Sequence, residues 1–121
     1  MRASIGERMD SSRNAVLMAR ELGIKIAAGY DAGSAAEQGH NARELLTLNS
    51  YGLSPLEVIR AATASAAELL GWEDRVGSVE PGKFADLIAV GGDPLTDIGE
   101  LDRIEFVMKG GAVVKDDVHR R

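Results

Sequence analysis

The sequence predicts an α/β protein in which helices come first and strands follow. Three observations carry that expectation. Apolar residues recur at helical spacing as far as Leu70. After Gly71 the pattern changes to short apolar or alternating runs broken by Gly- and Pro-containing turns. Inside the helical half, Ile24 to Ala28 forms a short, largely apolar run that reads as a buried strand.

Each element has its own local signature. Ala15, Val16, Ala19 and Leu22 share one helical face, so a helix is expected over 11–22, with Gly23 just past its end. The strand over 24–28 closes on the turn-prone Asp31-Ala32-Gly33. A second helix is expected over 41–51, with Leu45 and Leu48 inward and Gly52 ending it. Ser54-Pro55-Leu56-Glu57 is a capping box with proline at the first helical position, opening a third helix over 54–70. Its apolar face is read as Ile59, Ala62, Ala66, Leu69 and Leu70. Strands are expected over 76–79 and 84–90 around a Glu80-Pro81-Gly82-Lys83 turn. Gly91-Gly92-Asp93-Pro94 breaks the second of these. The run 104–109 and Ala112-Val113-Val114-Lys115 form a hairpin about Gly110-Gly111. That makes three or four strands, a small antiparallel sheet.

Composition excludes several function classes. The chain has 121 residues, 45% hydrophobic and 27% charged, as in an ordinary globular domain. A net charge of −5 argues against general nucleic-acid binding, which needs a basic surface. The basic triplet His119, Arg120 and Arg121 is terminal and reads as a frayed tail. No apolar run approaches the ~18 residues of a membrane span, and Met1 to Arg8 contains no signal-peptide core. With no cysteine there is neither a disulfide framework nor a thiolate metal site. A cytoplasmic protein is expected.

Two residues stand out for chemistry. Asp31 ends the expected strand inside a glycine-flanked turn, where a carboxylate can bind a divalent cation or shuttle a proton; it can equally form an Asx-turn or cap a helix. His40 precedes the second helix, where it can line a substrate pocket or cap that helix beside Asn41. Two histidines and no HxH or HExxH pairing cannot complete a zinc site, which takes about three protein ligands. There is no G-x-S-x-G elbow and no phosphate-binding glycine loop.

Taken in order, several segments resemble the C-terminal part of the amidohydrolase superfamily, in particular its imidazolonepropionase-like and Xaa-Pro dipeptidase-like branch. The first are Gly23-Ile24-Lys25-Ile26-Ala27-Ala28-Gly29-Tyr30-Asp31-Ala32-Gly33 and His40-Asn41-Ala42-Arg43-Glu44-Leu45. They continue through Gly52 to Thr63 and Ala66 to Gly71, and end with Gly82-Lys83-Phe84-Ala85-Asp86-Leu87, Gly92-Asp93-Pro94-Leu95 and Val107-Met108-Lys109-Gly110-Gly111. The resemblance implies the last βα unit of a (β/α)8 barrel plus an extra helix in residues 1–75, then the C-terminal strands of a small β-sandwich in 76–121. It implies hydrolysis of a C–N bond in an amide, peptide or cyclic amide by metal-activated water. Asp31 would bind the metal, zinc or a similar divalent ion, and relay the proton to the leaving nitrogen. His40 would be a substrate contact.

The chain departs from that pattern. Tyr30 stands where the family usually has Thr or Ser. The HxH pair, the metal-bridging lysine and two further histidines would all precede residue 1. The expectation is therefore a piece of a hydrolase that binds no metal and is not competent alone. One subunit of a split enzyme and a non-catalytic interaction module are the other readings. A lone barrel strand and an open sheet leave unpaired edges, so self-association or cover by a missing N-terminal portion is expected.

Overall fold

The computed structural model describes residues 4–118. The basic triplet at 119–121 lies outside the described residues. Four helices, α1 (Ile5–Glu21), α2 (Ala42–Ser50), α3 (Pro55–Ala62) and α4 (Ala64–Leu69), precede three strands, β1 (Leu87–Val90), β2 (Ile104–Lys109) and β3 (Ala112–Asp116). Short 3-10 turns lie at Ala35–Glu37 and Ile98–Asp102. The α/β class and its division into a helical and a strand-bearing half are as expected.

Helix α1 starts six residues earlier than the 11–22 reading. Ser4 and Glu7 form a reciprocal capping box, Ser4 Oγ accepting from the Glu7 N–H and the Glu7 carboxylate from the Ser4 N–H. Yet α1 has no buried residue. Only Val16, near its C-terminal end, packs against the core.

The capping box at Ser54 forms as read, but the helix it opens is not continuous. Thr63 has φ −127° and ψ −90°, which splits the element into α3 and α4. Its hydroxyl donates to the Ile59 carbonyl at 2.7 Å. The break turns the end of the expected apolar face outward: Leu69 is 75% and Leu70 71% exposed, while Val58 and Ala61 of α3 are buried. Gly77 crosses close over the break, where a Cβ would lie 2.6 Å from the Ala67 Cβ and 3.0 Å from the Thr63 carbonyl oxygen.

Residues 24–28 and 76–79 carry no strand. A strand exists only where a neighbour supplies a hydrogen-bonded ladder, and no other described segment forms one with either run. The 84–90 reading contracts to β1. The hairpin is where Gly110-Gly111 placed it. The sheet order is β1-β2-β3, antiparallel throughout, with irregularities between Ala89 and Val90 and between Val107 and Met108. Asp86, just before β1, holds the hairpin turn: its carboxylate accepts from the Gly110 N–H at 2.7 Å and from Lys109 Nζ.

The core lies between α2, α3 and the 3-10 turn that precedes β2. Leu48, Leu53, Val58 and Ile98 form the buried cluster, with Val16, Ile26, Ala28, Leu45, Leu46, Ile59 and Leu101 against it. Helix α2 packs on the 98–102 turn, which joins the helical half to the sheet.

Candidate functional site

The segment from Ile24 to Tyr30 carries Asp31 to its position. Its ends are fixed by few bonds. The Ile24 N–H donates to the Ala19 carbonyl at 2.8 Å, and the Ala28 N–H to the Ala61 carbonyl at 2.9 Å. Lys25 Nζ pairs with Glu68 on α4. Side chains alternate along it as in extended chain. Ile26 and Ala28 pack on the core, while Lys25 and Ala27 face a hollow of about 460 Å3 beside Ser65, Glu68 and Leu69.

At the end of this segment Asp31 is exposed, and its carboxylate makes no hydrogen bond or ion pair with a described residue. The Asx-turn and capping readings therefore have no bond behind them. His40 is also exposed. Its N–H donates to the Glu37 carbonyl at 3.2 Å and its carbonyl accepts from Arg43 N at 3.0 Å, both backbone bonds. Neither its imidazole nor the Asn41 side chain caps α2. Both residues are presented by turns, available to whatever adjoins them.

A cleft of about 890 Å3 opens between the sheet and α2–α3. Its floor is apolar: Leu45, Ile59, Ala62, Ile88, Val90 and Val107. Tyr30, Asn41 and Glu44 stand at one rim, Asp102, Arg103 and Lys115 at another. Asp31 and His40 do not line it; their neighbours Tyr30, Gly39 and Asn41 do. The half-buried Tyr30 thus faces the cleft, and Asp31 beyond it stays outside. Sequence reasoning missed the cleft because its walls come from six separated stretches of chain, and no local pattern announces such a juxtaposition.

The described residues contain no group of three His, Cys, Asp or Glu side chains that could hold a metal ion. A catalytic zinc takes about three protein ligands and a water. Asp31 alone does not fit that requirement. None of the described helices is long and apolar enough to cross a membrane.

Comparison with known proteins gives a consistent result. The model of the amidohydrolase family matches residues 2–114. An adenine deaminase of Sinorhizobium fredii is 40% identical over 86 residues, covering 71% of this chain and 14% of the deaminase. A Xaa-Pro dipeptidase, solved with methionine bound in its active site, superposes with a TM-score of 0.79 at 40% identity, over 85% of this chain and 25% of its own. The A. niger ochratoxinase superposes at 0.75 with 34% identity, over 90% of this chain and 26% of its own. The chain thus spans about a seventh of the curated relative and a quarter of each solved one.

Proposed function

We propose that this chain, which belongs to the amidohydrolase family, contributes Asp31 to the active site of a hydrolase that cleaves C–N bonds. The observation behind this reading is the state of Asp31. It is an exposed carboxylate with no partner among the described residues, at the end of a largely apolar segment. A charge that serves the local fold is bonded to it, as Asp86 is to Gly110 and Lys109. Asp31 is not.

In this reading Ile24 to Tyr30 is the last strand of a (β/α)8 barrel, residues 1–75 are the C-terminal part of that barrel, and 76–121 a strand-bearing subdomain. His40 is a substrate contact in the loop over the pocket. The substrate is a small amide, dipeptide or cyclic amide, in line with a dipeptidase among the relatives. The compartment is the cytoplasm. A divalent metal would need its remaining ligands from outside the described residues. The chain on its own is therefore inactive, and its open edges favour self-association in solution.

The absence of a metal-ligand cluster among the described residues favours a second reading, a non-catalytic interaction module. Native mass spectrometry of the chain expressed with zinc tests the metal assignment. A metal-free chain is expected. Stoichiometric zinc that survives an Asp31→Ala change would overturn the assignment of Asp31.

A further inference from the structure

Between Ala28 and Ser34 the chain is held by almost nothing. The Ala28 N–H donates to the Ala61 carbonyl, and the next bond is the one that the Ser34 carbonyl accepts from Glu37. No group of Gly29, Tyr30, Asp31, Ala32 or Gly33 makes a hydrogen bond or ion pair with a described residue. Glycine, which restrains the backbone least, stands at both ends of this stretch. A carboxylate displayed from it would sweep through many directions unless a side chain fixed the turn.

Tyr30 is the side chain placed to do so. Extended backbone sends successive side chains to opposite faces, so Tyr30 shares the face of Ile26 and Ala28, and Asp31 takes the other. Tyr30 is half-buried and lines the open groove between Ala28 and Ile88, the 890 Å3 cleft, together with Leu45, Ile59 and Ala62. Ala32 is half-buried too, but a methyl group offers little surface. An aromatic ring can bury on the order of 150–250 Å2 and gives up only two torsions when it is fixed. The phenol oxygen has no hydrogen-bond partner among the described residues, so any hold is through the ring and not the hydroxyl. That hold is local, because Tyr30 is not among the residues packed on the Leu48, Leu53, Val58 and Ile98 cluster.

We propose that Tyr30 is a positioning residue for Asp31. Its ring, set against the groove, fixes the turn and with it the direction in which the carboxylate is presented. The proposal rests on the reading of Asp31 as the site residue, and Tyr30 acts only through it.

Backbone nitrogen-15 relaxation of the full chain tests this, comparing wild type, Tyr30→Phe and Tyr30→Ala. In the wild type the Asp31 amide should show an order parameter of about 0.85, that of rigid backbone. Tyr30→Ala should lower it below about 0.6, the range of flexible chain, with Ala32 following. Tyr30→Phe should keep the wild-type value, since the hydroxyl holds nothing. The amides of α3 should be unchanged in all three proteins, which separates the aim of Asp31 from a general loss of structure. An Asp31 amide that is already flexible in the wild type overturns the proposal. So does one that Tyr30→Ala leaves ordered, a loss of order shared by Tyr30→Phe, or a loss that spreads to α3. The hydrolase reading fails on a different result, stoichiometric zinc that survives Asp31→Ala; Tyr30 would then have no site residue to position, whatever the relaxation shows. A flat relaxation response in a metal-free chain overturns the proposal alone.

Discussion

Arg20 and Glu57, 37 residues apart in sequence, meet through a 2.6 Å bond from the guanidinium Nε to the carboxylate. The same carboxylate accepts from the N–H and hydroxyl of Ser54, each at 2.7 Å. One side chain therefore caps α3 and fastens α1, the helix that buries nothing, to it. The Arg20 bond, followed by the two Ser54 bonds, holds the Glu57 pKa at about 2, below its ordinary 4.5.

A depressed carboxylate pKa stabilises the folded state above the ordinary value, and that contribution drains away as pH falls from 4.5 towards 2. Glu57→Gln should lower stability by about 1 kcal/mol near neutrality, the typical value of a cap plus a solvent-screened ion pair. The deficit should shrink as wild type and variant are compared at falling pH. Urea unfolding at neutral and strongly acidic pH measures it; a deficit constant with pH would refute the ionic account.

The core and the sheet edge predict opposite sensitivities. Leu48 is 4% exposed, and Leu48→Ala should cost about 2–5 kcal/mol by transfer and cavity terms. Val114 is 69% exposed, and Val114→Ala should stay within about 0.5 kcal/mol. Equal effects in a denaturant titration would mean that β3 is covered in solution, as association through that edge would cover it.

Two glycines separate backbone strain from crowding. Gly39 has φ +87° and no atom within 4 Å of a built Cβ, whereas Gly77, at φ +90°, meets Ala67 and the Thr63 carbonyl. Gly39→Ala should cost about 1 kcal/mol from φ alone. Gly77→Ala adds overpacking and should cost about 2–4 kcal/mol. The difference, read from thermal unfolding of the two variants, reports how rigid the α3–α4 junction is.

Asp31→Ala should leave the unfolding of the free chain within about 0.5 kcal/mol, because its carboxylate holds nothing in the fold. A large loss of stability would show that Asp31 is structural, and would remove the main support for its role in a site.

What was legible in the sequence was what is fixed locally. The Ser54 capping box and the Gly110-Gly111 turn specify their elements within a few residues, and both formed where they were read. The same logic contained a signal that was passed over: Ser4 and Glu7 stand in the capping-box spacing and start α1 early. Asp97 likewise accepts from Gly99 N at 2.8 Å and opens the 3-10 turn that delivers Ile98 to the core. The run from Ile24 to Ala28 reads as a strand because its residues suit one, but a ladder needs a neighbour that no local pattern can supply. The break at Thr63 has neither Gly nor Pro to mark it. Asp31 could be picked out by position and chemistry; the cleft beside Tyr30 belongs to the tertiary arrangement of six stretches.

The groove between Ala28 and Ile88 also has a consequence for the life of the molecule in a cell. Apolar side chains beside bare strand edges are what chaperones hold and proteases clear. The open groove should therefore shorten the life of the chain. Ile88→Asp, which takes an apolar side chain out of the groove, should lengthen the half-life in a pulse-chase comparison with the wild type.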